Sequence, residues 1–286
     1  MEWKGRRGSQ NIEDRRSQPR TAGVRAGGIG GVGLIAVLLI GWFLGVDVRP
    51  LLQGQGGMEI GTGGSAEVTE ADRERGQFTS VALRYTEEVW TGVFREQVDG
   101  DYVPVTLVLF KEATRSECGV AGAASGPFYC PADNKIYLDT DFFVTLEQRL
   151  GAGGDFAAAY VVAHEVAHHV QDLLGTLGEV NAERARVTEE ESNALSVRIE
   201  LQADCYSGIW ARLAENRLGV VQPGDFEEAL NAAHSIGDDV LQRSAGQRPM
   251  PHTFTHGTAE QRGRWFQTGY RTGKLASCDT FTANRL

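Results

Sequence analysis

Between residues 78 and 97 apolar side chains return at helical intervals, at Phe78, Val81, Leu83, Tyr85, Val89, Trp90 and Phe94. That spacing predicts a helix with one buried face. The run Val103–Phe110, VPVTLVLF, predicts a strand with Pro104 at its start, and residues 134–143, NKIYLDTDFF, predict a second strand followed by a turn. From Asp155 onward the pattern is helical. Asp155 opens FAAAYVVAHEVAHHVQDLL, which ends at Gly175. Thr188-x-x-Glu191 has the form of a capping box before a long helix ending near Gly219. Thr258-x-x-Gln261 repeats that form before Trp265 and Tyr270, and Asp225-x-x-Glu228 starts a further helix. No internal repeat is present. The expected fold is α+β, a mainly helical domain over residues 77–286 with a small β-sheet.

The N-terminal pattern differs. Residues 1–25 carry Lys4, Arg6, Arg7, Arg15, Arg16, Arg20 and Arg25 against Glu2, Glu13 and Asp14. Residues 27–46, GGIGGVGLIAVLLIGWFLGV, contain no charge. Twenty helical residues rise roughly 30 Å, enough to cross a bilayer core. Residues 26–48 are therefore expected to form one transmembrane helix. The positive-inside rule puts residues 1–25 in the cytoplasm and the rest in the periplasm or outside the cell. A cleaved signal peptide is the alternative; the long charged leader and the lack of a clear A-x-A site weigh against it. Residues 49–76 are rich in glycine and read as a linker.

The chain has 286 residues and a formal net charge of -10. Outside the N-terminus nothing supplies a basic face, so nucleic-acid binding is not expected. Cys118, Cys130, Cys205 and Cys278 all follow the apolar stretch. An even count in an oxidising compartment predicts disulfides. Local pairing joins Cys118 to Cys130 and Cys205 to Cys278.

The candidate chemistry lies in AHEVAHHVQD, residues 163–172. His164 and His168 are one helical turn apart and can share a metal ion. Glu165 stands beside them, where a general base would take a proton from metal-activated water. A polar helix face with two satisfied histidines is the bland alternative. Catalytic zinc needs a third protein ligand. RIELQADCYSGIW supplies Glu200 as that ligand, with Asp204 one turn on to accept the free N–H of a ligating histidine. Glu190, Glu191 and His256 are competing third ligands; the first two read as first-turn helix charges. His256, just before a capped helix, is a candidate oxyanion stabiliser or an ordinary turn histidine. Arg262 is a candidate ion-pair or substrate-carboxylate residue, or a solvated helix charge. His169, His234 and His252 are taken as non-catalytic. YCPADNKIYLD is a candidate sheet edge for an extended substrate, although a buried strand would look the same.

HExxH followed by ExxxD on a second helix resembles the gluzincin type of zinc peptidase. With FYCPADNKIYLD and FTHGTAEQRGRWFQTGY added, the chain more closely resembles the family described as "putative neutral zinc metallopeptidase", over roughly residues 71–281. The leader and the glycine-rich stretch fall outside that resemblance. It implies a zincin-like fold, a Zn2+ cofactor and peptide hydrolysis in a bacterial envelope, without naming a substrate. The expectation is a membrane-anchored zinc metalloendopeptidase acting on peptides or proteins. Its rivals are a non-enzymatic envelope scaffold with a structural or vestigial zinc site, and a zinc amidase acting on cell-wall peptides.

Overall fold

The computed structural model describes residues 1–18, 67–122 and 125–286. It divides into two compact units. One comprises Met1–Gln10, Phe78–Pro104 and Phe143–Leu286; the other comprises Asn11–Gln77 and Val105–Phe142. The protein is of mixed α+β class. In chain order the elements are β1 (Ile12–Asp14), α1 (Glu70–Gln97), β2 (Thr106–Phe110), β3 (Ala113–Ser116), β4 (Gly119–Gly122), β5 (Phe128–Cys130) and β6 (Lys135–Asp139). They continue with α2 (Phe142–Gln148), α3 (Asp155–Leu173), α4 (Thr176–Arg184), α5 (Glu189–Leu213), α6 (Asp225–Ser235), α7 (Asp238–Ser244) and α8 (Ala259–Thr272).

The smaller unit holds the sheet, in the order β1-β2-β6-β5. Strands β1, β2 and β6 run parallel, with Leu107 opposite both Ile12 and Ile136, and β5 closes the edge antiparallel to β6. Within YCPADNKIYLD, then, only the tyrosine–cysteine end lies on an edge strand; Lys135–Asp139 is interior. Val108, Phe110, Ala121, Cys130 and Tyr137 form a buried cluster. The bridge Cys118–Cys130 ties β5 to the β3–β4 hairpin.

Helix α1 begins earlier than the apolar period indicates. Thr69 and Asp72 bond each other reciprocally: the Thr69 amide donates to the Asp72 carboxylate at 2.9 Å, and the Asp72 amide to Thr69 Oγ1 at 3.2 Å. This box starts the helix inside the stretch expected to be linker, so residues 70–76 are helical. Asp72 is fully buried and takes Lys111 and Arg75 as partners at 2.9 and 2.7 Å.

In the larger unit α5 packs chiefly against α8, and α3 packs against α5 and α6. The α5–α8 contact is close because glycine faces backbone on both sides. A Cβ at Gly208 would collide with the carbonyl of Phe266, and one at Gly269 with the carbonyl of Cys205. Phe156 stacks on Trp210 at 5.3 Å, and Tyr160 meets Phe266 edge-on at 5.6 Å. The bridge Cys205–Cys278 pins the C-terminal segment to α5. Closing a loop with a sequence separation of 73 residues stabilises by roughly 4 kcal/mol in the chain-entropy model.

The N-terminal residues depart from expectation. They are part of the folded units, not a detached leader. Trp3 is 6% exposed, meets Phe78 edge-on at 5.5 Å and donates its indole N–H to Asp155 Oδ2 at 2.7 Å. Tyr85 donates its hydroxyl proton to the Glu2 carbonyl at 2.8 Å, and Ser9 Oγ donates to Glu87 at 2.5 Å. No periodic signal marks this segment, because its partners lie far along the chain. The expected transmembrane span, residues 26–48, lies outside the described residues. Among the described residues no helix is long and apolar enough to cross a membrane.

Two substitutions test this architecture. Trp3→Ala removes a buried indole and should destabilise by about 3–5 kcal/mol, lowering Tm by about 6–20 °C. An unchanged Tm would mean that the N-terminal segment is not docked. Gly269→Ala forces α5 and α8 apart and should cost about 1–3 kcal/mol; wild-type thermal stability in that variant would contradict the close approach.

Candidate metal centre

Helix α3 is held at its start from two directions. Gly154, at φ 115°, precedes it, so no side chain caps it locally. Glu228 of α6 accepts a hydrogen bond from the Phe156 amide at 3.0 Å, and Asp155 receives the Trp3 indole. Glu228 thus caps α3 and not its own helix. Helix α5 starts at the Thr188–Glu191 capping box and α8 at the Thr258–Gln261 box, as their spacing indicates.

These helices bring His164, His168 and Glu200 together. One donor atom from each lies within 4.8 Å of the others. His164 Nε2 is 3.0 Å from Glu200 Oε2, and His168 Nε2 is 3.5 Å from Glu200 Oε1. Donors on a tetrahedral zinc ion at about 2.1 Å stand roughly 3.4 Å apart, so the group fits that ion with small adjustment. Two imidazole nitrogens and one carboxylate oxygen are also the donor chemistry of catalytic zinc.

The outer nitrogens of both histidines are engaged. His168 Nδ1 pairs with Gln171 Oε1 at 2.9 Å, and Gln171 in turn donates to the Ile199 carbonyl at 2.8 Å. This fixes the His168 tautomer, leaving the Nε2 lone pair for a metal. His164 Nδ1 lies 3.1 Å from Asp204 Oδ1, a close ionic contact bent out of line for a full hydrogen bond. Asp204 is fully buried. It accepts from Tyr160 at 2.5 Å and from Arg262 Nε and Nη2 at 2.9 and 3.0 Å. Arg262 is only 1% exposed, so it is an ion-pair residue and not a solvated helix charge.

Glu165 is buried beside His164. His256 is tied to Asp238: its Nδ1 is 3.2 Å from Asp238 Oδ1, and Asp238 Oδ2 accepts its backbone N–H at 2.7 Å. Asp238 Oδ2 also accepts the amides of Thr255 and Gly257, at 2.8 and 2.9 Å. The charges of His256 and Glu200 act on each other through space. His169 is a packing residue, bonded to the Val103 carbonyl at 2.8 Å. Glu190 is exposed in the first turn of α5, and Glu191 closes that helix's capping box. Neither belongs to the donor group. Asp238 stands in no motif and acts through His256, 18 residues away; Gln171 lies within AHEVAHHVQD, three residues after His168, but was not singled out there.

The pattern defining the family described as "Putative neutral zinc metallopeptidase" matches residues 1–281, and the chain belongs to that family. The match includes the N-terminal residues, which the motifs alone had left outside. The chain is 43% identical to the uncharacterized protein YpfJ of Escherichia coli, over 98% of this chain and 99% of that protein. It is 45% identical to the uncharacterized protein Rv2575 of Mycobacterium tuberculosis, over 64% of each chain. No solved structure was found to match.

The electrostatics set a pH dependence. Burial alone would lower the His164 pKa, but the carboxylates of Asp204 and Glu200 outweigh it and push it up to about 10. Its protonated form therefore stabilises the metal-free chain below about pH 6.5, and that contribution is lost as pH rises toward 10. Burial opposes the charge on Glu200, yet His168, His256 and His164 hold it well below the ordinary range. Arg262 and His164 likewise lower Asp204 against burial. The carboxylate contributions are present above about pH 4 and are lost on acidification. Zinc must displace the His164 proton. Zinc affinity should therefore rise by about tenfold per pH unit between roughly pH 6 and 8, for one proton released. Chelator competition across that range measures it, and a pH-independent affinity would contradict the assignment of His164 as a ligand.

Proposed function

We propose that this protein hydrolyses peptide bonds using zinc held by His164, His168 and Glu200. The observation that carries the reading is the convergence of those three donors beside a buried glutamate. A structural zinc site is closed by four protein ligands, whereas a catalytic one has three and an open position. Among the described residues the donor group has three members, which favours the enzyme over the scaffold.

Zinc bound there would supply Lewis acidity and lower the pKa of its water to about 7. Glu165 accepts the proton of the attacking water and passes it to the leaving amine. His256, held at Nδ1 by Asp238, turns its other ring nitrogen to the substrate oxyanion. With Asp238 accepting at Nδ1, Nε2 donates only when the ring is charged. The pKa of His256 is consistent with that role: burial lowers it, but Glu200 and Asp238 outweigh burial and raise it. Asp204 and Gln171 orient the two ligating histidines.

The two disulfides support residence in an oxidising compartment. Because residues 1–10 pack into the unit that carries the donors, this reading takes the N-terminus into the same compartment. That replaces the cytoplasmic leader expected from charge alone.

Glu165→Gln separates binding from chemistry. The full chain carrying it should retain about one zinc per molecule and lose peptidase activity by about 100- to 10,000-fold. Elemental analysis and cleavage of a peptide mixture give the two readouts. Full activity in Glu165→Gln would contradict the base assignment, and no zinc uptake by wild type would contradict the function.

A further inference from the structure

Arg184 ends helix α4 and is half-buried. A desolvated guanidinium ordinarily faces a carboxylate. Here its Nε donates to Ser192 Oγ at 3.3 Å and its Nη1 to Asn181 Oδ1 at 3.1 Å, both neutral groups. Among the described residues no carboxylate forms an ion pair with it. The one carboxylate acting on it through space is that of Glu200, and burial lowers its pKa.

This arrangement fixes the side chain without neutralising it. Once Glu200 ligates a divalent ion, its charge is taken up there, and the counter-charge that Arg184 senses is gone. A cation so placed calls for an anion from outside the chain. The spacing sets how far away that anion lies. Ser192 and Glu200 both belong to α5 and are eight residues apart, or roughly 12 Å along the axis. An extended substrate spans about 3.3–3.6 Å per residue. The guanidinium, anchored at Ser192, therefore stands about three or four substrate residues from the donors.

We propose that Arg184 determines specificity by receiving a substrate carboxylate three or four residues from the scissile bond. The carboxylate belongs to an Asp or Glu side chain or to the peptide's C-terminus. This rests on the peptidase reading above. It supplies an attraction that the chain's overall charge of -10 would otherwise oppose.

The test uses the full, zinc-loaded chain and a proteome-derived peptide library, offered with free carboxylates or after methyl esterification. Wild type should cut the free library about 10- to 100-fold better than the esterified one, the range expected for losing a hydrogen bond to a charged group. Its cut sites should be enriched for a carboxylate three or four residues away. Enrichment near Asp or Glu identifies side chains as the source, and enrichment near peptide ends identifies the terminal carboxylate. Arg184→Gln should abolish the difference between libraries while still binding one zinc, and Arg184→Lys should keep part of the difference.

Equal cleavage of both libraries by wild type, with zinc bound, would overturn the proposal and leave the peptidase reading intact. A preference that survives Arg184→Gln would also overturn it. So would loss of zinc from folded Arg184→Gln, since the residue would then serve only to balance Glu200. If zinc-loaded wild type cuts neither library, the peptidase reading falls and this proposal falls with it.

Discussion

Everything at the candidate centre depends on one buried carboxylate. Asp204 is fully buried and shared by His164, Tyr160 and Arg262. A carboxylate in that position is tolerated only if its charge is matched and its oxygens are bonded. Arg262 provides the charge with a two-point grip, Tyr160 provides a hydroxyl, and the remaining contact falls on the histidine that offers Nε2 to a metal. Removing any partner strands the others in a low-dielectric interior, so the group behaves as a unit.

That unit requires α3, α5 and α8 to meet at fixed distances. Tyr160 and His164 come from α3, Asp204 from α5 and Arg262 from α8. The glycines at 208 and 269 allow α5 and α8 to approach backbone to backbone, and Cys205–Cys278 ties the C-terminal segment to α5 next to Asp204. Helix α3 is fastened at its start by Trp3 and Glu228 and near its end by Gln171. The metal donors are thus positioned by contacts that reach across nearly the whole chain, from residue 3 to residue 278.

Features governed by local rules were legible in the sequence. The one-turn spacings of His164 to His168 and of Glu200 to Asp204 place each pair on a helix face, and the structure brings the four together. The capping boxes at Thr188 and Thr258 and both disulfides follow the sequence expectation. Most of what escaped the sequence has no local signature. Residues 1–18 looked like a charged leader because charge was the only pattern there; their folding depends on partners such as Phe78, Tyr85 and Asp155. The Thr69–Asp72 box was hidden in glycine-rich surroundings, so the start of α1 was placed too late. Arg262 could not be told from a surface charge, since its burial comes from Asp204 on another helix. Asp238 and Arg184 were missed for the same reason, whereas Gln171 was overlooked beside its own partner His168, three residues before it.

The most direct test of this account is the zinc affinity of Asp204→Asn in the full chain, measured against wild type on protein verified as folded. Asparagine keeps the size of the side chain and removes its charge. The account predicts an affinity about 10- to 100-fold weaker, the usual cost of losing the partner that orients a metal-bound histidine. An affinity equal to wild type in folded Asp204→Asn would contradict it, because the buried carboxylate would then have no part in presenting His164 to the metal.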